Sequence, residues 1–167
     1  MNRQSSVVDG DEVLQVSDDE LTCPEVGGWT EIKHSFVSLY AKLFSSGMKA
    51  KWGRRVYVEL YAGAGYSRIR GTSRVIAGSP LRALTLQDPF DEYVFCEEDP
   101  ENLKALKARV KRHAPGASVA YVEGDCNAKV KEILAKIPVG SKTDTVLTLC
   151  FVDPYDIGME FCFHLLR

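Results

Sequence analysis

The chain has 167 residues, of which 45% are hydrophobic and 26% charged, with a formal net charge of -2. That is the length of one domain with a sizeable core and an ordinary globular composition. No apolar run approaches membrane-spanning length, so no membrane partner is expected, and the N-terminus carries no basic-then-apolar signal. Five cysteines, an odd number with no C-x-x-C or Cys/His ligand spacing, argue against a disulfide framework or structural zinc and for the reducing cytoplasm.

Residues 1–28 hold seven acids and a single basic residue, Arg3, and show no periodicity. Their composition predicts a disordered acidic tail. The remainder is modestly basic, which is compatible with nucleic acid without requiring it. From Trp29 the pattern turns helical: Ile32, Phe36, Leu39, Tyr40 and Leu43 recur at helical spacing, with Thr30 as N-cap and Gly47 as stop. An apolar run, Arg55–Tyr61, then predicts a strand that ends in Ala62-Gly63-Ala64-Gly65. Residues 62–78 predict a long loop rich in Gly, Arg and Ser, in which Arg68, Arg70 and Arg74 are candidates to meet a polyanion. Ser79-Pro80 opens a short helix, with serine capping and proline in the first turn.

Glu92–Glu97 predicts a second strand, and Pro100 starts a helix with an apolar stripe of Leu103, Leu106 and Val110. Ser118–Val122 predicts a third strand and Asn127–Ile137 a further helix. Val146–Val152 predicts a fourth strand, apolar enough to be buried on both faces. Strands alternating with helices predict a parallel, Rossmann-like α/β sheet with right-handed crossovers, in which ligands bind beyond the carboxyl ends of the strands. All four strands end there in a carboxylate or a glycine turn: Glu59 with Gly63 and Gly65, then Glu97, Asp125 and Asp153.

The spacing at the first turn selects among cofactors. A dinucleotide fingerprint needs a third glycine where this chain has Arg68, and an acid about twenty residues further on. An acid four residues before Gly63 instead suits S-adenosylmethionine (SAM). The Ala62–Gly65 backbone can approach its methionine portion, and Glu59 can hold the cationic end. Glu97 can accept both ribose hydroxyls, unless Glu98 or Asp99 takes that place, and Asp125 can accept the adenine amine. Each acid taken singly is also a common cap or turn residue, and Asp125 can simply cap the helix near Asn127. Asp153-Pro154-Tyr155 is the candidate catalytic segment: Asp153 and the backbone carbonyl accept hydrogen bonds from a target amine, and Tyr155 stacks on a planar base. His34, His113 and His164 read as structural.

Several segments together resemble one family. They are Trp29-Thr30-Glu31-Ile32-Lys33-His34, Glu59 to Gly65, Gly78-Ser79-Pro80-Leu81, Phe95 to Asn102 and Phe151-Val152-Asp153-Pro154-Tyr155. From about residue 29 onward the chain looks like the three-Cys-motif partner family (TcmP), which is similar to Rossmann-type SAM-dependent methyltransferases. That resemblance implies SAM as cofactor and a neighbouring protein with three cysteines as partner. The wider likeness is to nucleic-acid base methyltransferases, whose motif usually has a second proline where this chain has Tyr155. The resemblance also implies a seven-stranded sheet, so residues 29–167 are expected to be the N-terminal part of a longer, C-terminally truncated domain. Two other readings stand beside the enzyme: a non-catalytic module for a protein partner, and a metal-dependent nucleic-acid enzyme using Glu97, Asp125 and Asp153.

Overall fold

Four apolar runs of five or six residues become the strands of one parallel sheet. The computed structural model describes residues 16–154. Their elements are β1 (Glu25–Val26), α1 (Trp29–Met48), β2 (Arg54–Glu59), β3 (Tyr66–Ile69), β4 (Val75–Ala77), α2 (Ser79–Leu84), β5 (Glu92–Glu97), α3 (Pro100–His113), β6 (Val119–Glu123), α4 (Val130–Lys136) and β7 (Val146–Phe151). The main sheet has the order β6-β5-β2-β7 with all pairs parallel. The chain therefore begins the sheet in its interior, builds outward through β5 and β6, and returns to the other side of β2. This mixed α/β arrangement, a four-stranded parallel sheet flanked by helices, is compatible with a Rossmann-like fold.

Side chains alternate across the strands. On one face Tyr57, Tyr93 and Phe95 pack with Ala41 of α1, Leu81 of α2, and Leu106 and Val110 of α3. On the other, Val56, Val58, Val94, Cys96 and Val122 pack with Ile133 of α4. The most apolar strand, β7, is not buried on both faces as its composition predicts. None of its residues is fully buried, and Thr148 and Cys150 are exposed. It pairs only with β2 among the described residues, and α4 covers the far side of the sheet from β6 to β2 instead.

Helix α1 turns its apolar stripe away from the sheet: Ile32, Phe36, Leu39, Tyr40 and Leu43, with Trp29 beside them, are all exposed, and His34, Ser38, Ala41 and Ser45 are buried. The cause is a buried cation. Arg55 is 5% exposed, forks onto Asp91 at 3.0 and 3.1 Å, and donates to Ser45 Oγ at 2.8 Å. Small side chains on α1 let the helix come close enough to satisfy that guanidinium. The helix starts at Trp29 with Gly28 as N-cap, two residues before the expected cap Thr30, and runs through Gly47 to Met48.

The acidic segment and the arginine loop are also more ordered than their composition predicts. Within the expected tail, residues 16–28 lie against the body: β1 pairs in parallel with β3, and Asp19 is gripped by Arg109 and Arg112 at 2.6 and 2.7 Å. The expected 62–78 loop contains the antiparallel hairpin β3–β4. Arg68 pairs with Asp18, and Arg74 pairs with Glu31 at 2.6 Å. These two arginines are therefore each paired with an acid within the chain. Further along, α4 begins at Val130 rather than Asn127, because Asp125 first organises a turn over residues 126–129.

Candidate functional site

At the carboxyl end of β2 the chain must leave the sheet beneath α2 and α3, and only glycines permit the path it takes. Gly63 and Gly65 have φ of +62° and +84°, a region that side chains rarely adopt. The two glycines face different surroundings. A Cβ on Gly65 would lie 3.0 Å from Leu106 Cδ1 and 3.4 Å from Leu81 Cδ1, so this glycine exists for packing. A Cβ on Gly63 would meet nothing within 4 Å, so this glycine borders open space. Ala62 is buried between them and β5, its N–H donating to the Cys96 carbonyl at 2.9 Å.

Glu97, at the end of β5, stands across from the turn. Its Oε2 accepts the Gly63 N–H at 2.7 Å, and its Oε1 accepts the Asp99 N–H at 3.0 Å. Each carboxylate oxygen has a second acceptor site; on Oε1 it is met by a long contact from Asn102 Nδ2 at 3.5 Å, so this half-buried side chain has one open site, on Oε2, and a second donor would displace Asn102. The neighbouring acids do not compete for that place. Asp99 is the N-cap of α3, accepting from Glu101 and Asn102, and Glu98 points into solvent with no hydrogen bond among the described residues.

Glu59 lies buried behind the turn: it is 1% exposed, receiving Ser79 Oγ at 2.5 Å and Tyr57 OH at 3.1 Å. Burial is the main cause that raises its pKa to about 8, against the opposing effect of the two hydroxyls. Ser79 thus serves Glu59 instead of capping α2, whose N-cap is Gly78. Hydroxyls can donate or accept, so the cluster accommodates either protonation state of the carboxyl.

Asp125 is exposed beyond β6, and its Oδ1 accepts the Asn127 N–H at 2.9 Å. Its Oδ2 has no partner among the described residues. Asp153 follows β7 and pairs with Lys33 of α1, Nζ to Oδ2 at 2.6 Å, with both side chains about a third exposed (37% and 33%). Pro154 is half-buried beside it, and Tyr155 and His164 lie outside the described residues. His34 is buried behind Lys33 with its pKa lowered to about 4, chiefly by burial, so it is neutral. Near neutral pH His113 is held uncharged in the same way, in contact with the Tyr66 hydroxyl at 2.5 Å.

Three groups at this site escape sequence reasoning. Lys33 neutralises the predicted catalytic acid from 120 residues away. Tyr61, just past β2, is half-buried in contact with the thiol of Cys126, and burial raises its pKa. Arg109, fully buried in α3, donates to the Ala64 carbonyl at 2.7 Å and to the Thr22 carbonyl at 2.9 Å, while its guanidinium stacks 4.1 Å over the Tyr66 ring. It thereby ties the glycine turn to the acidic N-terminal segment. Only the i,i+3 place of Arg109 beside the apolar Leu106 hinted at this.

Among the described residues no group of three or more His, Cys, Asp or Glu side chains is placed to hold a metal ion. Glu97, Asp125 and Asp153 instead serve three different partners. The four described cysteines are free thiols, and no described helix is long and apolar enough to cross a membrane. No protein-family model matches the chain, and no curated protein or solved structure does either.

Proposed function

We propose that this chain is a SAM-binding, methyltransferase-type Rossmann-like protein of the three-Cys-motif partner kind, with transfer to a nucleic-acid amine as the reaction class. The observation that carries the reading is the Gly63–Glu97 pair. A positive-φ glycine borders open space and donates its N–H to a strand-end carboxylate whose Oε2 keeps one acceptor site open and whose Oε1 gives its second only to a long contact from Asn102. The pair lies beyond the carboxyl ends of β2 and β5, the side of an open α/β sheet on which ligands usually bind, one strand away from the β2–β7 reversal of strand order.

In this reading the Ala62–Gly65 backbone borders the methionine portion of SAM, Glu97 accepts its ribose hydroxyls, and the free Oδ2 of Asp125 accepts its adenine amine. Glu59 acts from behind, holding Ser79 and the start of α2 beneath the turn. SAM supplies an electrophilic methyl group when bound, and the protein's own residues supply position. Asp153, with Oδ2 given to Lys33, has Oδ1 available for a hydrogen bond from a target amine.

Isothermal titration with SAM and with its demethylated product tests the reading. Glu97→Gln keeps an acceptor for Gly63 but loses a charged ribose contact, and should weaken binding by about 1.5–3 kcal/mol. Absence of heat with either ligand, or an affinity indifferent to Glu97→Gln, would count against the site.

A further inference from the structure

We infer that the outward face of α1 is a self-association surface, on which α1 of a second copy packs antiparallel about a two-fold axis near Phe36. Trp29, Ile32, Phe36, Leu39 and Leu43 follow one another at steps of three, four, three and four residues, with Tyr40 beside them. That is the spacing of a seam that receives another helix, narrower than the stripe of a helix lying on its own core. The core-facing residues, His34, Ser38, Ala41 and Ser45, lie on the opposite side of α1, so the seam points directly away from the sheet.

The six large side chains of the seam are each 47–66% exposed. With about 150–250 Å² per aromatic side chain and somewhat less per aliphatic one, they leave roughly 700 Å² open. A typical monomer's largest apolar patch is about 300–600 Å², and a stable complex buries about 800 Å² per partner. The seam is also complementary to itself when reversed. With the axis at Phe36, Trp29 falls opposite Leu43, Ile32 opposite Leu39 and Tyr40, and Phe36 opposite its own copy. Lys42 falls opposite Thr30 and Glu31 rather than another lysine. Lys33 and Glu31 are already neutralised within the protomer by Asp153 and Arg74.

Sedimentation of the full chain tests the inference. It should form a dimer at tens of micromolar, and Phe36→Glu and Leu43→Glu should each weaken that dimer at least 100-fold. Both positions are exposed in the protomer, so circular dichroism should show unchanged secondary structure. Under mild oxidation Phe36→Cys should yield a covalent dimer whose cross-link maps by mass spectrometry to position 36 in both copies. A wild-type chain that stays monomeric at 100 μM would overturn the inference, whether residues 155–167 or another protein then covers the seam. A dimer untouched by both glutamate substitutions would overturn it as well, since its interface would lie elsewhere.

Discussion

Asp19→Asn should destabilise the protein by about 2 kcal/mol, the largest effect of any single acid in the N-terminal segment. Asp19 is held between Arg109 at 2.6 Å and Arg112 at 2.7 Å, with side-chain exposures of 9% for Asp19 and 0% for Arg109. The hydrogen bond from Arg109 is the largest cause that lowers its pKa from 3.8 to about 2. At about 1.4 kcal/mol per unit, that shift is worth roughly 2.4 kcal/mol at neutral pH. The substitution also strands a buried guanidinium, so a cost nearer the 3–5 kcal/mol of a broken buried pair is the upper bound. Because the folded pKa is depressed, the contribution is complete above pH 4 and is lost as pH falls towards 2. Urea unfolding at neutral pH should show a lower midpoint with an unchanged slope, and Tm should fall by about 5–10 °C. The gap between wild type and variant should close across the acid window. A difference under about 0.5 kcal/mol, or one that stays constant as the pH falls from 5 to 2, would refute the clasp.

The two glycines of the turn should separate by phenotype. Gly63→Ala should cost about 1–2 kcal/mol of backbone strain and abolish SAM binding, whereas Gly65→Ala carries the same strain plus a Cβ 3.0 Å from Leu106 and should cost more stability than Gly63→Ala; equal stability losses in urea titrations would contradict the distinction. Glu59, with its folded pKa raised to about 8 from 4.5, contributes stability fully below pH 4.5 that is lost as pH rises through 8. Glu59→Gln should flatten that decline, which urea midpoints measured from pH 5 to 9 would reveal; an unaltered pH profile would exclude ionisation of Glu59 as its source. Asp153→Ala breaks a third-exposed ion pair and should change stability by less than about 1 kcal/mol, abolishing methyl transfer while SAM affinity stays put. Loss of cofactor binding in that variant would move Asp153 out of the acceptor role.

The strands of the main sheet were legible because each is an apolar run closed by an acid or a glycine, and both signals are local. The facing of α1 was not. Periodicity shows that a stripe exists, but which side meets the sheet was decided by Arg55, whose guanidinium needs Ser45 within reach. The β3–β4 hairpin escaped because strands of four and three residues are too short to show alternation, and its arginines read as loop charge. Asp18 and Asp19 read as tail residues because their partners, Arg68 and Arg109, lie 50 and 90 positions away. At the site, the carboxylates Glu97 and Asp125 were visible as strand-end acids. The burial of Glu59 was not, because it depends on Tyr57 and Ser79 closing over it from two elements.

The central position of β2 has a consequence for how the protein is made. The first strand of the sheet to leave the ribosome acquires β5 on one side early, but its other partner starts 92 residues later, where Gly53 finally meets Thr145. At about 5–20 residues per second, that edge stands open for roughly 5–20 s of synthesis. In that interval the nascent chain displays an apolar strand with unpaired N–H and C=O groups, a template for neighbouring chains on the same message. Slow codons between β5 and β7 would lengthen the exposure, and the soluble yield of recombinant protein should track the translation rate of that stretch more closely than that of any other.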